Sequence, residues 1–376
     1  MSPTRRPTNP PRLTVEVSPA YELLLSVLVS LENRDADTRD LSDDWLAEAR
    51  TRAGDDLVER ARALAGDNPD TFTHLIGLVH DTATPRTVDA FLDHLRETDA
   101  DEIRLHLLQF YSREIRRQTP PGVIRAAVGG DADARGEFLR TSFPEWSDWT
   151  DYIRTVLDWD AAAFKAELIE VLSLWADRVW KPESLTIMPI LERDAEAKRD
   201  LQRDLPLDRF ITTATNGVEF SPRPGIDRVV LTPSFVNRPL VTYYEFGDTM
   251  LIAYPVADES VSADTDAPPL RLVRLSKALG DDKRLRILRA LAEGEKTLME
   301  LADMFGVAKT TMHHHMIILR SAGLISASVG KKAYRLRQET IPDVGALLSG
   351  YLGAGPGPSA ASRSPAPTRR RTGTGG

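Results

Sequence analysis

The stretch from Lys283 to Leu336, KRLRILRALAEGEKTLMELADMFGVAKTTMHHHMIILRSAGLISASVGKKAYRL, constrains the chain more than any other. Its apolar residues recur at helical spacing in three short runs, and the connections between them are only a few residues long, so the runs must pack together. Asp281-Asp282 supplies an N-cap and negative charge for a helix over Lys283 to Ala292, which suits the positive end of the helix dipole. The spacing turns Leu285, Leu288 and Leu291 inward and leaves Lys283, Arg284, Arg286 and Arg289 mostly outward. Gly294 stops that helix. Thr297 caps the next one, with Glu300 at capping-box distance, and Leu298, Leu301, Ala302 and Phe305 form its apolar face.

The turn at Gly306-Val307 then reorients the chain, and a third helix begins near Lys309. Met312, Met316 and Leu319 are its buried positions by spacing. Lys309, Thr310, Thr311, His313 and His314 remain on or near the outer face of its first two turns. After Ala322-Gly323, strands over Leu324–Val329 and Ala333–Arg337 flank Gly330-Lys331-Lys332. Two helices, a tight turn, a third helix and a basic hairpin are the layout of a winged helix-turn-helix, which reads duplex DNA. A helix that enters the major groove by its N-terminal end needs short hydroxyls and donors there for base edges and phosphates. The DNA-binding candidates are therefore Lys309, Thr310, Thr311, His313 and His314 on the helix, with Lys331, Lys332 and Arg335 on the hairpin as phosphate or minor-groove contacts.

A net charge of −8 seems to oppose a nucleic-acid partner, but the charge is unevenly distributed. Residues 270–340 hold 14 Lys and Arg against 7 Asp and Glu, whereas residues 1–269 hold 30 against 48. Screening confines charge effects to roughly 8–10 Å, so a basic module on an acidic body keeps its own field.

The other residues read as mainly helical. Residues 1–13, rich in Pro, Thr and Arg and without periodicity, read as a disordered arm. From residue 14 to 256 the chain reads as a helical N-terminal domain that ends in a small antiparallel β-sheet. Pro19 to Leu31 is apolar on most faces and marks a buried helix. Helical stripes follow to Asp160–Trp180, where Lys181-Pro182 is expected to stop a helix before one more over Glu183–Leu205. The period then changes to two. Asn216-Gly217 within Phe210–Phe220 signals a hairpin, Arg228–Thr232 a strand, and Val241–Val256 two strands around Gly247-Asp248. Residues 257–269 have linker composition, 270–352 form the DNA-reading domain, and 353–376 read as a disordered tail with a basic Arg369-Arg370-Arg371 cluster.

The LxxALGDDxRLRILRAL start, the ELAxxFGV turn, the TTMHHHMxxLRSAGLI segment and the GKKAYRL hairpin resemble the ArsR-type winged-helix family of bacterial transcription regulators. The resemblance spans roughly residues 270–352. It implies homodimers joined through the flanking helices 270–279 and 342–352, a palindromic operator, and repression relieved by a bound signal. Two departures matter. Many metal-sensing members carry Cys-x-Cys in the second helix, where this chain has Thr297 and Met299, and the terminal helix offers only Asp343 as a ligand. Ala308 stands where a Ser or Thr cap is usual, which weakens the start of the recognition helix by about 1 kcal/mol.

No metal site, cofactor or catalytic residue is read from the sequence, and the chain is expected not to be an enzyme. Cysteine is absent, which excludes disulfides and thiolate chemistry and suits a reducing cytoplasm. Consecutive side chains of His313-His314-His315 diverge by about 100° each and cannot converge on one ion. His74, His80, His94 and His106 fall on separate helices without paired metal spacing and read as ordinary surface or core histidines. The tryptophans fit helix packing, with a ligand pocket lined by Trp146, Trp149, Trp159, Trp175 and Trp180 as the alternative. No apolar run approaches the ~18–20 residues that span a membrane. The favoured reading is a sequence-specific, homodimeric DNA-binding regulator whose N-terminal domain senses a small-molecule effector or a partner, or extends the dimer. The alternatives are an enzymatic body that carries a winged helix for targeting, or a protein-interaction module.

Overall fold

The computed structural model describes residues 10–32, 38–66, 68–143, 147–221, 224–261, 268–328 and 333–353. The fold is mainly α-helical with two small sheets, a helical N-terminal body and a C-terminal helical cluster.

A short strand, β1 (Arg12–Val15), precedes α1 (Pro19–Leu31). The sequence of α1, PAYELLLSVLVSL, is apolar on nearly every face, and the helix is buried on nearly every face. It forms the axis of the largest core. Around it in chain order lie α2 (Asp43–Ala53), α3 (Asp55–Ala65), a 3₁₀ segment (Pro69–Leu75), α4 (Ile76–Asp81), α5 (Val88–Glu97) and α6 (Ala100–Leu107). Then come α7 (Arg113–Gln118), α8 (Pro121–Val128), α9 (Ala132–Thr141), α10 (Ser147–Asp158) and α11 (Ala161–Trp175). Side-chain caps from Ser42, Thr87, Asp99, Asp131 and Asp160 set where several of these helices begin, each satisfying an orphan N–H of a first turn.

The expected stop at Lys181-Pro182 does not occur. A π-helical stretch, Ala176–Trp180, carries α11 directly into α12 (Lys181–Asp204). The register of hydrogen bonds changes at such a stretch, and Pro182 lies in the first turn after it, where a missing N–H is tolerated.

The sheet of the body is not antiparallel as expected but mixed. In the order β1-β3-β5-β4 it holds β1, β3 (Arg228–Ser234), β5 (Thr249–Pro255) and β4 (Thr242–Phe246). The pairs β1–β3 and β3–β5 are parallel, and only the β4–β5 hairpin around Gly247-Asp248 is antiparallel. Burial explains the arrangement. Val230, Leu251 and Ala253 face the core of α1, while Val229, Leu231, Met250 and Ile252 face a second core with α12 and α13 (Leu207–Ala214). A strand covered on both faces reads as a continuous apolar run rather than an alternating one. RVVL and MLIAY are such runs.

Asn216-Gly217, read as a hairpin signal, is left-handed, with φ of 51° and 112°. It joins α13 to β2 (Val218–Glu219), however, and not two strands of a hairpin. Phe210, Ile211 and Ala214 lie on one face of a helix and pack into the second core, which keeps that segment helical.

Of the stretches expected to lack structure, residues 1–9, 262–267 and 354–376 lie outside the described residues. Arg12 and Leu13 belong to β1, and α14 (Asp258–Val261) is helical. The remaining elements are α15 (Leu270–Leu279), α16 (Asp282–Ala292), β6 (Lys296–Thr297), α17 (Leu298–Phe305), α18 (Lys309–Ser321), β7 (Ile325–Ser328), β8 (Ala333–Leu336) and α19 (Asp343–Tyr351). They enclose a third core of Ile287, Leu288, Leu291, Leu301, Met312, Met316, Leu319 and Ile325. Leu285, expected inside, is 48% exposed, and Ile287 takes its place in the core.

Candidate nucleic-acid interface

The helix-turn-helix is fixed by local chemistry. Thr297 Oγ1 accepts the N–H of Glu300 at 3.3 Å, and Glu300 returns a carboxylate oxygen to the Thr297 N–H at 2.7 Å, a complete capping box. The bonds from the Thr297 N–H and hydroxyl hold the Glu300 carboxyl below its ordinary pKa, so it is ionised at the positive end of α17. Gly306 then takes the left-handed conformation at φ 60°, ψ 38°, which a Cβ would disfavour. The turn places α18 across α17 with Met312, Met316 and Leu319 buried against it.

Of the residues expected to contact DNA, Lys309, Thr310, Thr311 and His313 are exposed and His314 is half-buried. The first turn of α18 has no side-chain cap, because Ala308 stands at the N-cap. Its leading N–H groups therefore remain open to an external acceptor, the arrangement by which helix N-termini hold phosphate. His315, by contrast, is buried. Although exposed, His313 lines the seam with the body, and desolvation there, with Arg320 and Lys309 nearby, lowers its pKa, so the imidazole is neutral near pH 7 and able to donate or accept a hydrogen bond.

The hairpin expected to touch the backbone is described only in part, since Lys331 and Lys332 lie outside the described residues. Arg335 is exposed but not unpaired. Its guanidinium forms an ion pair with Glu219 of β2, and the other carboxylate oxygen of Glu219 accepts the hydroxyl of Ser326 at 2.7 Å. This contact belongs to a larger seam. Strand β2 adds in parallel to β7, extending the hairpin to a four-stranded sheet in the order β2-β7-β8-β6. Arg337 donates to Asn216 Oδ1 at 3.0 Å, and Arg320 on α18 donates to the carbonyl of Val241 at 2.9 Å. At the start of the module, Arg274 on α15 pairs with Asp40 and Asp258, which also hold the buried Arg238. The DNA-reading module is thus docked on the body by backbone pairing and buried charge.

A cavity of about 720 Å³ lies along this seam, walled by β4 of the body, by His313, Met316, Ile317 and Arg320 of α18, and by Tyr334 of β8. His74 and His106 reach it from the body, and Gln109, a non-glycine residue at φ 52°, places its amide 2.8 Å from His74 Nε2. A second cavity, of about 580 Å³, shares His106, Tyr111 and Phe246 with the first and adds His80, Asp81, His94, Glu102 and Asp248. Burial is the main reason that His80 and His106 fall to about 4, so both are neutral. The same cause raises the pKa of Asp81, while the hydrogen bond from Arg228 lowers that of Asp248.

His74, His80, His94 and His106, which come from the 3₁₀ segment, α4, α5 and α6, converge on these two cavities. No spacing in the sequence announces that. Among the described residues the tryptophans serve packing: Trp175 is fully buried and donates to Ser26, Trp149 stacks on Tyr152, and Trp159 stacks on Phe164. Trp146 lies outside the described residues.

The capped α17, the left-handed turn, the exposed start of α18 and the strand pair β7–β8 define a winged helix-turn-helix of the DNA-binding regulator class. Residues 281–327 match the bacterial regulatory protein, arsR family, and the C-terminal module is an ArsR-type winged helix-turn-helix. The chain is similar to the HTH-type transcriptional regulator Rv0324 of Mycobacterium tuberculosis, 32% identical over 80 residues, 21% of this chain and 35% of that protein. It is also similar to the trehalose-6-phosphate hydrolase of Escherichia coli, 31% identical over 149 residues, 38% of this chain and 24% of that enzyme. The chain therefore spans only about a quarter and about a third of the two curated proteins it matches. No solved structure matches. The hydrolase match corrects the expectation that the chain is not an enzyme: likeness to a named hydrolase over more than a third of the chain does not support that exclusion. Among the described residues no helix is long and apolar enough to cross a membrane.

Proposed function

We propose that the protein is a cytoplasmic, sequence-specific DNA-binding regulator that inserts the start of α18 into the major groove of a palindromic operator. The observation that carries this reading is the exposed, uncapped first turn of α18, with Lys309, Thr310 and Thr311 side by side on a helix anchored by Met312 and Met316. Thr310, Thr311, His313 and His314 are assigned to base edges or nearby phosphates. Lys309, Lys331, Lys332 and Arg335 are assigned to the backbone.

A homodimer fits α19 best. Val344 and Leu347 pack on the module's core, but Leu348 and Tyr351 of the same stripe are 47% and 44% exposed, with Ile341 and Leu352 beside them. On α15, Arg274 is already committed to the body. A second copy meeting α19 would set two recognition helices on one face of the duplex, about 34 Å apart. Occupancy of the operator then represses, and the body carries the signal. The test is gel retention of the DNA upstream of the protein's own gene. Failure to retain that or any other genomic fragment at low salt would sink the reading.

A second reading is favoured by the hydrolase match. The body would hydrolyse a phosphorylated disaccharide such as trehalose 6-phosphate, with the DNA-reading module as its regulator or address. The smaller cavity offers one carboxyl biased toward its protonated form, Asp81, and one held ionised, Asp248. Glycoside hydrolysis needs an acid and a charged carboxylate of that kind. Incubation of the purified protein with trehalose 6-phosphate decides it, and absence of any product at saturating substrate rejects it.

A further inference from the structure

We propose that the cavity between β4 and α18 binds a small organic oxyanion, a carboxylate or phosphate monoester bearing an apolar group, with its charge on Arg320. The inference deepens the regulator reading, since such a ligand would be the effector.

Arg320 lies two turns beyond His313 on the stripe of α18 that faces the cavity. A guanidinium offers five N–H donors, and the bond to the Val241 carbonyl uses one of them. Among the described residues no carboxylate forms an ion pair with it. Arg238, Arg274, Arg335 and Arg337, the other arginines at this seam treated above, are each paired with acid. Burial lowers the pKa of Arg320 against the opposing pull of Tyr334 and Tyr243, and the guanidinium in turn helps to lower the pKa of its neighbour His313. Asp70, Glu114 and Glu245 line the cavity as well. A desolvated cation without a counter-charge is costly, and an anion delivered from solution relieves that cost.

Three parts of the molecule converge on the point: Arg320 from the recognition helix, Tyr334 from the hairpin and Tyr243 from the body. Guanidinium and phenol hydroxyls are the donors that carboxylate and phosphate oxygens accept. Met316, Ile317 and Val241 supply an apolar wall beside them, and about 720 Å³ is the size of a small-molecule site. An occupant touches both the body and α18. Any change in how α18 sits on the body therefore changes the ligand's contacts, which is the condition for coupling ligand to DNA.

The experiment is calorimetric titration of the full-length protein with phenyl phosphate, benzoate and inorganic phosphate. A ring-bearing anion should bind about tenfold tighter than inorganic phosphate, and which ring-bearing anion wins separates a carboxylate from a phosphate ester. Arg320→Gln should weaken it by about tenfold or more, the loss of a charge-assisted bond. Tyr243→Phe, at a 47% exposed position where folding is insensitive, should weaken it severalfold. Bound anion should also shift the midpoint of DNA retention. If neither ring-bearing anion binds, or both variants bind like the wild type, the site is wrong. DNA retention by the ligand-free protein reports separately on the regulator reading: DNA held without anion binding overturns only this inference. Anion bound without DNA retention leaves the site and removes its role as effector.

Discussion

Glu22 should make the stability of the body depend on pH, with a size and sign that its surroundings fix. It lies in the first turn of α1 at 1% exposure, and its Oε1 accepts the backbone N–H groups of Phe235 and Val236 at 2.7 and 2.8 Å. Burial raises its pKa from 4.5 to about 7, against the opposing pull of the bonds from Val236, Ser234 and Phe235. At ~1.4 kcal/mol per unit, that gap corresponds to ~3 kcal/mol. The folded state holds the proton more tightly than the unfolded one. The stabilisation is therefore fully present below about pH 4.5 and is lost as the pH rises through about 7. Glu22→Gln keeps an acceptor for both N–H groups but cannot ionise. Urea unfolding, followed by the fluorescence of Trp175, whose indole donates to Ser26 on the same helix, should be repeated across a pH series. The wild type should lose ~3 kcal/mol more than the variant between about pH 4.5 and 7. Parallel curves for the two proteins would refute the assignment.

Two further outcomes follow from the seam between body and module. Glu219→Gln releases Arg335 from its ion pair, so DNA binding should tighten and the slope of log affinity against log salt should steepen by about one unit. An unchanged slope would show that Arg335 does not reach phosphate. Arg274→Met leaves Asp40 and Asp258 with Arg238 as their one remaining partner at this cluster. It should lower stability by ~3–5 kcal/mol, the usual cost of stripping one member from a buried ion group. Adding Asp40→Asn should return part of the loss, and strict additivity of the two changes would deny the coupling.

The parts of the fold that the sequence discloses are those whose local chemistry and tertiary environment agree. In the module, the caps at Asp281 and Thr297, the left-handed Gly306 and the stripe Met312–Met316–Leu319 each specify the observed geometry within a few residues. In the body, α1 is recognisable because it has no polar face. The parallel pairing of β1, β3 and β5 is not legible in the sequence because a short apolar run is compatible with several partners, although RVVL and MLIAY carry the mark of two-sided burial. Asn216-Gly217 gave the turn correctly but not what it connects, since the helicity of Phe210–Ala214 is decided by the second core. The largest omission is the seam. That Glu219 faces Arg335, or that Arg320 meets Val241, depends on docking between segments roughly 80 to 115 residues apart, and no periodicity encodes it. Lys309, Thr310, Thr311, His313 and His314 can be proposed from sequence because local spacing puts them on one helix; the cavity cannot, because its walls come from the body, α18 and the hairpin.

The most direct test compares operator affinity of the wild type with Lys309→Ala combined with Thr311→Ala, measured by fluorescence anisotropy against operator and scrambled duplexes at the same salt. Loss of a base contact costs ~1–3 kcal/mol and loss of a phosphate contact weakens all sequences alike. The double variant should bind the operator at least about tenfold more weakly, with the ratio of operator to scrambled affinity reduced. An unchanged operator affinity and an unchanged ratio would contradict the assignment of α18 as the helix that reads DNA.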